Sequence, residues 1–101
     1  MQSNEFDLKY MPNAEEDLKE LIADKSKKAA MKAVVKSLKL MANNLKHPSL
    51  NTHKYDEIEG PNGEEVFESY AQNNTPGAYR IFWHYGPGKK TITILLISPH
   101  P

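Results

Sequence analysis

The chain has 101 residues, thirteen basic and thirteen acidic side chains, and so a formal net charge of zero. It has no cysteine, which excludes a disulfide framework and a thiolate metal site and fits a reducing cytoplasm. That length suits one domain over residues 1–101, able to bury roughly two-thirds of its unfolded surface without a staple.

Zero net charge hides a blocked distribution. Residues 1–24 carry −5, residues 25–55 carry +8 with no acid, residues 56–68 carry −6 with no base, and residues 69–101 carry +3. Such blocks create local potentials suited to an anionic partner, or they are ordinary solvated faces. The N-terminal segment MQSNEFDLKYM has no basic stretch followed by an apolar one, so no secretory signal is expected. The longest apolar run, Ile94–Ile97, is far too short for a bilayer, and no membrane partner is expected.

In chain order, Phe6, Leu8 and Tyr10 alternate with Asp7 and Lys9, the period of a strand. Pro12 and Asn13 end it. Asn13 then caps a helix, with Glu16 three residues on completing a capping box, and Leu18, Leu21 and Ile22 form its apolar stripe as far as Asp24. The next segment is strongly periodic. Met31, Val34, Val35, Leu38, Met41, Ala42 and Leu45 keep one helical face apolar. Lys28, Lys32, Lys36 and Lys39 lie opposite, as a solvated back or a row facing phosphates. Pro48 stops the helix. Residues 47–56 read as a loop and Gly60–Gly63 as a turn.

Val66–Tyr70 reads as a strand, broken by Asn73–Gly77. Ala78–Tyr85 is a strand with two faces, Tyr79, Ile81, Trp83 and Tyr85 on one and Arg80, Phe82 and His84 on the other. Gly86-Pro87-Gly88 turns the chain into Thr91–Ile97, apolar enough to be a central strand covered on both sides. The expected class is α+β, ordered β-α-α-β-β-β, an antiparallel sheet with two helices packed on one face. The opposite face is expected to be open.

The segment AYRIFWHYG, followed by a glycine turn and TITILLIS, resembles the tyrosine–arginine strand and final apolar strand of the RelE/ParE superfamily of toxin–antitoxin toxins. LKHPSLNTHKYDEI resembles that family's loop after the second helix. The resemblance spans residues 5 to 101 and implies the RelE-like branch. Such proteins cleave mRNA in the ribosomal A site without metal or cofactor and are held inactive by a cognate antitoxin in a hetero-oligomer. ParE-like members share the fold and inhibit DNA gyrase without cutting RNA. An inactive relative serving as an interaction domain is a third reading.

Metal-free RNA cleavage needs a base for the 2′-hydroxyl, an acid for the leaving 5′-oxygen and a cation for the phosphate. The resemblance places Arg80 as that cation, since a guanidinium clasps phosphate with two bonds. The plainer alternative is a structural arginine paired with Glu68. The resemblance also places a catalytic side chain where His100 stands, and histidine titrates near neutrality. Otherwise His100 is part of a tail between two prolines. His53 and Lys54, in the loop after the basic helix, are candidate substrate contacts or plain loop residues. His84 lies roughly 13 Å along the strand from Arg80 on the same face. Tyr70 is placed to stack a base or to fill the rim of the core. The sequence departs from the family in carrying Glu68 and Tyr70 where lysines are common, and no arginine follows the last strand. Four scattered histidines make a poor metal site.

Overall fold

The structure, a computed structural model, describes residues 5–99. Its elements are β1 (Asp7–Tyr10), α1 (Pro12–Ala23), α2 (Lys28–Asn43), β2 (His53–Lys54), β3 (Phe67–Tyr70), β4 (Tyr79–Tyr85) and β5 (Thr91–Pro99). The strands form one sheet in the order β1-β5-β4-β3-β2. Two helices and a mostly antiparallel sheet make the α+β architecture that the sequence pattern implies. Two features go beyond that expectation. β1 runs parallel to β5, so the sheet is not wholly antiparallel. The expected loop 47–56 also contains a 3-10 turn (Pro48–Leu50) and the two-residue edge strand β2.

The helices pack on the sheet face that carries Ile81, Trp83, Ile92, Ile94 and Ile97. Ala14 and Leu21 enter from α1, and Val34, Leu38 and Met41 from α2. The periodic stripe of the second helix is therefore the buried one, while Lys28, Lys32, Lys36 and Lys39 are exposed. The stripe of α1 is narrower than expected, because Ile22 is 54% exposed. The start of α1 also differs. Met11 occupies the cap position and Pro12 the first turn, with no side-chain cap, because proline's fixed φ and missing N–H suit a first helical position. Asn13 is therefore inside the helix and does not cap it.

α1 is fastened to the sheet by a polar contact. β1 ends at Tyr10, opposite Ile94, which leaves the rest of that β5 edge without a strand. The Asp17 carboxylate of α1 accepts the Ile97 N–H at 3.0 Å, supplying the acceptor that a neighbouring strand would have supplied. Between the helices, the Ser26 hydroxyl and then the Ser26 amide hold the Asp24 carboxyl below its ordinary range.

β5 contains a bulge. Ile81 pairs with Ile97 and Phe82 with Leu96, but Trp83 pairs with Ile94, so Leu95 is the extra residue. A strand has period two, and Ile94 and Ile97 would otherwise face opposite sides. The bulge puts Ile92, Ile94 and Ile97 all into one core. This explains a nearly continuous apolar run in a strand whose other face is only partly covered. The Trp83 indole N–H is buried and donates to Ser69 Oγ at 2.9 Å, and Ser69 Oγ in turn contacts Thr52 Oγ1 at 2.7 Å.

The face away from the helices is less open than expected. Residues 55–66 fold across one end of it. Tyr55 packs edge-on against Phe82 with 4.8 Å between ring centres, and its N–H donates to Val66 O at 2.8 Å. Glu64 brings its carboxylate to 4.0 Å from His84 Nε2. Phe82 and His84 are consequently buried. No helix among the described residues is long and apolar enough to cross a membrane.

Candidate functional site

Three strands bring a connected polar network onto the face opposite the helices. Register fixes its members. His53 of β2 lies beside Glu68 of β3, and Tyr70 of β3 lies beside Arg80 of β4. Cross-strand neighbours share a face, so the four side chains converge. His53 Nε2 stands 2.7 Å from Glu68 Oε1. Glu68 Oε2 stands 3.5 Å from Arg80 Nε. The Arg80 guanidinium carbon lies 3.6 Å from the centre of the Tyr70 ring, a cation–π stack, and Arg80 Nη1 donates to the Gln72 carbonyl.

His53 is the accessible member, its side chain 46% exposed. Its Nδ1 lies 2.8 Å from Asn51 O, and a carbonyl can only accept. Both ring nitrogens therefore face acceptors, an arrangement that an imidazolium satisfies with two donated bonds. Tyr70 meets the His53 ring edge-on at 5.8 Å.

Arg80 faces away from the helices, as the strand pattern requires, but it does not stand in an open hollow. Its side chain is 8% exposed. The reason is local. A buried guanidinium needs a counter-charge and a flat surface, and Glu68 and Tyr70 on the adjacent strand supply both. The contact to Glu68 is an ion pair too long for a good hydrogen bond. Nε is accordingly a buried donor with no hydrogen-bond acceptor among the described residues.

The other sequence candidates are placed apart. Lys54 alternates to the opposite side from His53 and pairs with Glu65 at 2.7 Å, both side chains more than half exposed. That hydrogen bond raises the pKa of the Lys54 ammonium. His84 lies on the face of Arg80 but its side chain is only 3% exposed, and its Nδ1 donates to Tyr85 O at 2.7 Å. It is packed under the 55–66 segment and out of reach of a substrate. His100 lies outside the described residues. No group of three or more metal-ligating side chains occurs among the described residues.

From the sequence, Glu68 is only an alternative partner for Arg80. The structure makes it the hub. The signal that reveals this is register, through the pairing of residue 53 with residue 68, and a two-residue strand leaves no periodicity from which to read it.

No protein-family model and no curated protein matches the sequence. Solved structures do match the fold. A chain of the archaeal RelE–RelB complex from Pyrococcus horikoshii OT3 is 16% identical, with 93% of each chain covered and a TM-score of 0.62. The YoeB dimer of Staphylococcus aureus is 16% identical, with 96% of this chain and 99% of that chain covered and a TM-score of 0.64. The YoeB/ParE toxin of Agrobacterium tumefaciens is 5% identical, with 95% of this chain and 100% of that chain covered and a TM-score of 0.67. Each match spans 93% or more of both chains, and the fold of this chain is the one these RelE–RelB, YoeB and YoeB/ParE structures show.

Proposed function

We propose that this chain is the toxin of a toxin–antitoxin pair, and that it cleaves mRNA on the ribosome through the sheet face that carries His53, Glu68, Tyr70 and Arg80. The observation that carries this reading is the network itself. It joins an exposed imidazole, a carboxylate, an aromatic ring and a guanidinium with an unsatisfied buried donor. An unsatisfied donor costs about 1–3 kcal/mol, and such groups concentrate where strain or function explains them.

In the proposed reaction the 2′-oxygen attacks the adjacent phosphorus and the bond from phosphorus to the 5′-oxygen breaks. A cyclic phosphate and a 5′-hydroxyl result. The 2′-proton leaves to a base and the 5′-oxygen receives one from an acid. His53 and His100 are the proposed proton-transfer groups, Arg80 opposes the charge on phosphate, and Tyr70 stacks a base. Glu68 holds His53 and Arg80 in the resting state, so phosphate must replace it as their partner. The relative found in a RelE–RelB complex supports an antitoxin partner, whose acidic segment would seat against the same face.

Expression in a bacterium without the antitoxin tests this. The expected result is growth arrest with mRNA cut at positions set by the reading frame. Cutting by purified protein on programmed ribosomes should fall roughly a hundredfold or more in His53→Ala and in Arg80→Lys. Thermal melts of both variants separate this loss from unfolding. Undiminished cutting in both folded variants removes the assignment. The burial of Arg80 favours a second reading, a toxin that binds gyrase and cuts nothing. Arrest with intact mRNA and DNA-damage signalling would select it.

A further inference from the structure

At the far end of β4 the chain exposes an aromatic ring that the network above does not use. Tyr85 is 48% exposed although it lies on the core side of its strand. It is also firmly held. Its ring meets Trp83 edge-on at 4.9 Å and Phe67 at 5.5 Å, and Phe6 tilts against it at 6.2 Å. One side of Tyr85 borders a cleft of about 390 Å³ with His47 and Asn51 in its wall. Another borders a cleft of about 370 Å³ that holds Phe6 and Lys90. Lys46 lines both. Each volume lies within the range of small-ligand pockets.

The chemistry of the walls selects the occupant. The described residues lining the two clefts include Lys46, His47 and Lys90 and no carboxylate. His47 Nδ1 accepts the Ser49 N–H at 3.1 Å, so the opposite nitrogen, Nε2, is the one left to carry a proton as a donor. The clefts open where α2 ends, and that helix carries Lys36 and Lys39 on its solvent side. A rigid exposed ring between lysines is the arrangement that takes single-stranded polynucleotide, with a base stacked on the ring and phosphates at the cations.

We infer that Tyr85, with Lys46 and the two clefts beside it, forms a second RNA-binding site that holds a single-stranded segment by stacking and charge, without sequence readout. It lies on the helix side of the sheet, about 17 Å along β4 from Arg80 at ordinary strand rise. RNA bound there leaves the His53 face unoccupied. The inference stands apart from the cleavage reading, since binding here needs no proton transfer.

The test is fluorescence anisotropy of the full chain with a 2′-O-methyl oligouridylate, which the proposed 2′-oxygen attack cannot cut. Tyr85→Ala should weaken binding roughly tenfold, within the range for one lost base stack, and Tyr85→Phe should restore it. Lys46→Ala should weaken binding and lower the slope of log affinity against log salt by about one. Cleavage is read separately, in His53→Ala on programmed ribosomes, so failure of one proposal is distinguishable from failure of the other. Wild-type affinity in folded Tyr85→Ala overturns the inference. So does a wild-type chain that ignores the oligouridylate but binds polyglutamate through Tyr85, which would make the clefts a seat for an acidic protein.

Discussion

Glu68 holds His53 on one oxygen and Arg80 on the other, and both it and Arg80 are almost fully buried. Removing one member of a buried ion pair strands the other in a medium that solvates it poorly. Glu68→Ala should therefore lower the unfolding free energy by about 3–5 kcal/mol, read from urea denaturation. Glu68→Gln keeps one carbonyl acceptor, enough for Nε or for His53, and should lose less. A loss below about 0.5 kcal/mol in the alanine variant would show that Tyr70 and the Gln72 carbonyl suffice to hold Arg80. The same residue explains why the expected open hollow is filled. An arginine on a strand is readable from sequence, but its exposure depends on what the adjacent strand sets beside it. Glu68 and Tyr70 flank Arg80, so the guanidinium here is neutralised and stacked.

Among the elements, α1 sits against β5 through its apolar residues and through one polar side chain, Asp17. The charged acceptor on a backbone N–H is worth about 1.5–3 kcal/mol, so Asp17→Ala should destabilise the fold by that order. It should also speed amide hydrogen exchange at Ile97 more than at Ile94, whose strand partner β1 is untouched. Equal exchange at Ile97 in variant and wild type would remove Asp17 from this role. The helices and the β4–β5 hairpin were legible because each repeats its period over several turns or residues. The alternation within Tyr79–Tyr85 shows both faces of that strand. β2 was not legible, since two residues carry no period. The bulge was not legible either, because an apolar run reads alike whether it is buried on both faces or switches parity at Leu95. The helix start differs from its sequence signal, since Asn13 and Glu16 match a capping box, yet Pro12 already occupies the first turn.

For the whole molecule, the order β1-β5-β4-β3-β2 joins strands from opposite ends of the described chain. Asp7–Tyr10 pairs with Thr91–Ile94, and Ile92 and Ile94 also complete the core under both helices. A fragment ending at residue 90 should therefore show helical circular dichroism well below that of the full chain and no protected amides in α1. Native-like protection in that fragment would show that α1 and α2 hold together without β5. The period of Phe6, Leu8 and Tyr10 shows a strand, but nothing in those residues says which strand it joins or in which direction.

The parallel pairing of β1 with β5 also sets a schedule. Contacts between residues so distant in sequence form late and slowly, and a growing chain can make them only after residues 91–94 have emerged. Until then β1 has no neighbour and the central strand β4 is paired on one side alone. The five-stranded sheet is in this way incomplete until nearly all of the described sequence has been translated.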